Sequence, residues 1–130
     1  MYLDANFFMF LWFDEGKKGI KAREILQEIV KGKHAMTSAL AIDETMWVIL
    51  KNKHETFLRQ VIEGAYGTNN LEVKEVPSWI PLRALDFMEK HHLKPRDAVH
   101  VALMEHFGIK EIVSDDADFD RISGIKRIKI

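Results

Sequence analysis

Cysteine is absent from this 130-residue chain. That excludes a disulfide framework, a thiolate zinc site and a cysteine nucleophile together, and it fits a reducing compartment, so a cytoplasmic location is expected. A long apolar run is missing as well. The greasiest stretch, Phe7 to Phe13, falls far short of the ~20 residues that span a membrane. It has no basic leader and follows an aspartate, so neither a signal peptide nor a membrane partner is expected. Nor is there an excess of one charge: the formal net is −1, which argues against gripping a polyanion through the field of the whole protein. Any nucleic acid must be held locally, by basic patches or metal ions. Repeats, low-complexity tracts and Pro/Gly/Ser-rich linkers are lacking too, so residues 1–130 read as one domain.

What is present is an ordinary globular composition, 47% apolar and 30% charged. A chain of this length buries roughly two thirds of the surface its unfolded form exposes, enough to fold without a staple. Short β-leaning segments occur at Tyr2 to Leu3, Ala35 to Thr37, Leu71 to Val76, Glu111 to Ser114 and Arg127 to Ile130, with helical stretches between them. From Ile20 to Lys31, Ala22, Ile25, Leu26 and Ile29 recur at three- and four-residue spacing, the mark of an amphipathic helix. Ser38 suits the N-cap of a helix through Trp47 to Leu50, and Ser78 the N-cap of one through Leu85 to Met88. Pro95 suits the first turn of a helix that ends near Gly108. Strands alternating with helices predict an α/β fold with a mainly parallel sheet covered on both faces. Such sheets do chemistry beyond the carboxyl ends of their strands, so acids just after strands are the ones to weigh.

Asp4 follows the first strand, Glu44 lies early in the Ser38 helix, Asp97 opens the helix after Pro95, and Asp115, Asp116, Asp118 and Asp120 crowd the segment after Ser114. Taken singly, each has a plain explanation. Asp4 and Asp97 sit where an acid caps a helix or meets its dipole. Glu44 shares a face with Leu40, Trp47 and Val48, but periodicity does not say whether it or Asp43 points inward. The last cluster reads equally as a solvated acidic turn. Jointly they suggest a divalent cation, because the topology gathers strand ends at one edge and the motifs hold no basic partner. Magnesium takes oxygen ligands and suits a few carboxylates plus a phosphate. Zinc fits poorly without cysteine or spaced histidines. His91 and His92 are adjacent and cannot face one site, so solvation at a helix C-terminus accounts for them. His100, one turn from Asp97, suits packing or support of a ligand better than metal binding.

These residues resemble the PIN-domain family, and within it the small stand-alone proteins of the VapC toxin kind. The marks are Leu3-Asp4-Ala5-Asn6, Thr37-Ser38 with Glu44 six residues on, Asp97-Ala98-Val99-His100-Val101-Ala102, and Ile112-Val113-Ser114-Asp115-Asp116-Ala117-Asp118-Phe119. They come in family order across essentially the whole chain. The resemblance implies a three-layer α/β/α sandwich with a sheet of about five strands. It also implies a ribonuclease dependent on Mg²⁺ or Mn²⁺, leaving a 5′-phosphate and a 3′-hydroxyl, the toxin of a VapBC-type pair. Asp4, Glu44, Asp97 and Asp116 carry over as the acidic quartet and metal ligands, with Asp118 as an additional ligand. Asn6 and Ser114 carry over as polar supports, and Asp115 falls at a variable position.

Lys94 and Arg96, with Lys51, Lys53 and Arg121, are candidates for gripping RNA from their closeness to the motifs. The apolar run Asn6 to Phe13 suits a homodimer or antitoxin contact as well as the protein's own core. The competing reading is a catalytically silent PIN-fold module that binds RNA or protein. A phosphatase or receiver-like domain is less well matched, since no Asp-x-Asp follows the first strand.

Overall fold

The computed structural model describes residues 1–130. Five strands, β1 (Tyr2–Leu3), β2 (Ala35–Ser38), β3 (Leu71–Lys74), β4 (Glu111–Ser114) and β5 (Lys126–Lys129), form one sheet in the order β3-β2-β1-β4-β5. All four neighbouring pairs are parallel. Six helices surround it: α1 (Ala5–Phe13), α2 (Lys17–Val30), α3 (Ala39–Lys51), α4 (Leu58–Gly67), α5 (Ile80–His91) and α6 (Pro95–His106). None is long and apolar enough to cross a membrane.

Because side chains alternate along a strand, each central strand feeds both layers. Tyr2 and Ile112 enter the cluster under α5 and α6, with Ile80, Ala98, Val101 and Leu103. Leu3 and Val113, one residue on, enter the opposite cluster with Phe7, Phe8, Ala22, Ile25, Ile29 and Ile42. The central strands are therefore buried except at Glu111, the first residue of β4, whereas the edge strands β3 and β5 are buried only in part. Phe7 and Phe8 of the apolar amino-terminal run lie in the protein's own interior, and Phe10 and Leu11 pack against it.

Helix ends agree with the sequence in some places and differ in others. Asp4 caps α1 by accepting from Ala5 N at 2.6 Å, and Ser38 caps α3 by accepting from Ala41 N at 3.2 Å. Pro95 occupies the first turn of α6. The amphipathic helix expected from Ile20 starts at Lys17, because Asp14 Oδ1 accepts from Gly16 N at 2.8 Å and Gly19 N at 2.9 Å. Ser78 is not an N-cap. The backbone turns first, Ile80 N donating to Pro77 O at 3.0 Å, so α5 begins after Trp79 with Pro81 in its first turn.

β1 is the point where the chain changes direction: β2 and β3 are added on one side, and β4 and β5 on the other. Such a switch point leaves a crevice beyond the strands' carboxyl ends.

Candidate active site

Asp4 leaves β1 at that crevice and is 7% exposed. Its Oδ2 accepts from Ser114 Oγ at 2.6 Å, across the sheet from the end of β4, and from Asn6 Nδ2 at 3.2 Å. The two polar supports expected from the sequence therefore both hold Asp4. Burial raises its pKa above the ordinary carboxylate value, against the lowering effect of His100 and Ser114.

Ser114 also shapes the segment after β4. Its Oγ accepts from Asp116 N at 3.0 Å, and Asp116 Oδ1 accepts from Asp118 N at 2.8 Å, which starts a 3-10 turn over Ala117–Arg121. Arg127 on β5 pins this segment from beneath, donating to both oxygens of Asp120 at 2.9 and 2.6 Å. Ligand-capable oxygens of Asp97, Asp116 and Asp118 come within 4.8 Å of one another.

Asp97 projects from the first turn of α6. Its pKa is pushed up to about 6, by burial first and then by the charge of Asp116 and, further off, Asp4. Neither Asp97 nor Asp116 has a salt-bridge partner, whereas Asp118 pairs with Arg121, Asp115 with Lys18 at 2.5 Å and Asp120 with Arg127. Asp115 is thus tied to α2 rather than turned to the crevice acids.

Glu44 stands on α3 with its carboxylate facing α6, while Asp43 is exposed. Glu44 Oε2 lies 2.8 Å from His100 Nε2, and Oε1 lies 3.6 Å from Arg96 Nε. Behind it runs a buried chain: His100 Nδ1 is 2.7 Å from Tyr2 Oη, which is 2.6 Å from Ser38 Oγ. Burial would lower the pKa of His100, but the hydrogen bond to Glu44 and the charges of Asp4, Glu44 and Asp97 outweigh it and hold the imidazole above its ordinary value.

The acids fall into two neighbouring groups, Asp4 with Glu44 beside His100, and Asp97 with Asp116 and Asp118. Glu44, Asp97 and Asp116 share an open cavity of about 380 Å³ with Lys94, Pro95 and Arg96, so charged side chains make up all of its lining except the Pro95 ring. Of the basic candidates, only Lys94 and Arg96 reach it. Arg121 is engaged with Asp118, and Lys51 lies over the Trp47 ring. Sequence reasoning passed over two participants. Tyr2 reads as one more apolar strand residue, although a hydroxyl in a buried strand is a signal that a partner awaits it. Arg127 sits in an edge strand whose other basic residues are ordinary surface, and its sequence distance from Asp120 hides the contact.

The site accepts a hard divalent cation on chemical grounds. Asp97, Asp116 and Asp118 offer carboxylate oxygens within reach of one another, and the charges of Asp97 and Asp116 repel.

Comparison with known proteins bears on the family and the fold. The family described as PIN domain matches residues 1–125. Ribonuclease VapC13 of Mycobacterium tuberculosis is 26% identical over 128 residues, 97% of each chain. The fold is shared with the crystal structure of Mycobacterium tuberculosis VapC20, a sarcin-ricin-loop-cleaving toxin, at TM-score 0.78 and 19% identity over 92% of each chain. A toxin-antitoxin complex from Klebsiella pneumoniae matches at TM-score 0.70 and 19% identity, over 96% of this chain and 94% of that one.

Proposed function

The chain belongs to the PIN-domain family, and from that premise we propose that it is a divalent-metal-dependent ribonuclease, the toxin of a VapBC-type toxin-antitoxin pair. The observation that carries the reading is the pair Asp97 and Asp116, brought together from α6 and the segment after β4 without a salt bridge to either and with Asp97 raised to about 6. A fold spends stability on such repulsion where a ligand relieves it. The names of the similar proteins, a ribonuclease and a ribosomal-loop-cleaving toxin, supply the substrate class.

In this reading Asp4, Asp97 and Asp116 hold Mg²⁺ or Mn²⁺, with Asp118 as a further ligand and Glu44 facing a second position. The cation, when bound, polarises a phosphoryl oxygen and lowers the pKa of water at the scissile phosphate. The protein's own contribution is placement. Ser114 and Asn6 fix the Asp4 carboxylate, so its oxygens need no reorganisation when the ion arrives. Glu44 orients the attacking water in line with the leaving 3′-oxygen. The P–O3′ bond breaks, a 5′-phosphate and a 3′-hydroxyl result, and no ribose 2′-hydroxyl serves as nucleophile. Lys94 and Arg96, the cations of the cavity, take the flanking phosphates; Arg96 can leave Glu44 for a phosphate because it is a surface side chain at 3.6 Å.

The test is cleavage of labelled single-stranded and structured RNA by the purified protein and by an Asp4→Asn, Asp97→Asn double variant, with Mg²⁺, Mn²⁺ or EDTA. Metal-dependent cleavage by the parent, lost at least 100-fold in the double variant, is expected. A folded parent that binds Mn²⁺ and cuts none of the RNAs would favour the silent binding module instead.

A further inference from the structure

His100 is 1% exposed and shares the Asp4–Glu44 group, so at first sight it is a third ligand. Its hydrogen bonds argue otherwise. A carboxylate only accepts, so Nε2 facing Glu44 Oε2 at 2.8 Å carries a proton and has no lone pair for an ion. Nδ1 is taken by Tyr2 Oη at 2.7 Å. Both ring nitrogens are therefore occupied by the protein, and every polar atom of the buried chain has a partner.

The chain's two ends also matter. Ser38 and Glu44 lie on the same helix, one at the cap of α3 and one two turns in, while Tyr2 comes from β1 and His100 from α6. Tyr2 and Asp4 are two residues apart, and Asp97 and His100 are three apart on one helix face. A single run of hydrogen bonds thus ties together the three elements that bear Asp4, Glu44 and Asp97. Glu44, half-buried on a helix with a flexible side chain, gets its direction from the imidazole.

We propose that His100, braced by Tyr2, is the positioning residue of the metal site: it holds the Glu44 carboxylate in place for the ion without touching the ion itself. The proposal rests on the nuclease reading only for the ion's presence. Supports of this kind are worth about 10- to 100-fold in metal affinity or activity.

The two amide isosteres separate the halves of the imidazole. In His100→Gln the side-chain nitrogen reaches the place of Nε2 and can still donate to Glu44; in His100→Asn it reaches only the place of Nδ1. Mn²⁺ binding measured by titration calorimetry should weaken about 10-fold or more in His100→Asn and stay within about threefold of the parent in His100→Gln. Tyr2→Phe, which removes one oxygen and hardly any volume, should weaken binding by an intermediate factor, and it decides the matter if the His100 variants do not fold. In a Glu44→Ala background, His100→Asn should add less than twofold, since the brace has nothing left to hold. The proposal is overturned if folded His100→Asn or Tyr2→Phe binds Mn²⁺ like the parent, which leaves His100 a packing residue, or if Gln and Asn weaken binding equally, which makes the imidazole a ligand. A parent that binds no Mn²⁺ removes the nuclease reading itself, and this proposal with it.

Discussion

At the scale of residues, the site is a set of carboxylates whose environments differ. Asp4 is buried with both oxygens hydrogen-bonded, which offsets part of what burial costs its charge. Asp97 has burial and like charge, offset only in part by the charges of His100 and Lys94. A carboxyl held at about 6 in the folded chain, and at its ordinary 3.8 when unfolded, takes up protons on folding between those values. Its contribution therefore favours the folded state below about pH 4 and is lost as pH rises through about 6. In EDTA, Asp97→Asn should raise the melting temperature at pH 7 by about 4 °C, roughly what 1 kcal/mol is worth in a domain of this size, the half-exposed carboxyl keeping part of its hydration. Calorimetry at pH 4.5 should show the gap closing, because the parent's Asp97 is then largely protonated. A variant no more stable than the parent at pH 7 would place the repulsion elsewhere. By the same competition between proton and metal, the Mn²⁺ concentration for half-maximal cleavage should climb as pH falls below about 6.

Among the elements, α2 illustrates how a local device overrides periodicity. The apolar repeat from Ala22 onward is visible in the sequence, but the helix starts earlier, after Gly16, where the Asp14 carboxylate accepts from Gly16 N and Gly19 N and the backbone at residue 19 packs against the Asp14 carbonyl. A Cβ on Gly19 would lie 1.7 Å from Asp14 O. Gly19→Ala should accordingly cost at least about 2 kcal/mol, the overpacking range, despite alanine's better helix propensity, and denaturant unfolding measures it. An unchanged midpoint would mean that the α1–α2 corner yields freely. The opposite relation holds at α6, where sequence and structure coincide: Pro95 starts the helix, Ala98, Val101 and Ala102 face the core, Asp97 faces the crevice, and His100 is buried behind Glu44.

On the scale of the whole molecule, the site exists because the sheet reverses its order of growth at β1. Residues 4 and 114 are bonded across the sheet, and Glu44 meets His100 over 56 positions. A cation bound to acids from such distant segments binds the folded chain and not the unfolded one. At about 100 times its dissociation constant it should stabilise by ~2.7 kcal/mol, or roughly 10 °C, for the parent and not for the Asp4→Asn, Asp97→Asn variant. Thermal denaturation with and without Mn²⁺ reads this directly, and an equal shift in both proteins would assign the ion to other surface carboxylates.

Strand positions to within two residues, the parallel sheet with helices on both faces, and Asp4, Asp97 and Asp116 as acids near strand ends or helix starts were legible in the sequence by itself. Hydrophobic period, strand-end position and turn chemistry are local properties, and short motifs in family order carry them. Which of Asp43 and Glu44 turns inward followed there only from resemblance, and the start of α5 after Trp79 rather than Ser78 did not follow at all. The tertiary structure alone decided which acids meet without a cation and which are neutralised by Lys18, Arg121 or Arg127. It alone joined Ser38, Tyr2, His100 and Glu44. Contacts of that kind depend on register and helix placement across the sheet, where residues far apart in sequence come within ångströms, and no local pattern encodes such a distance.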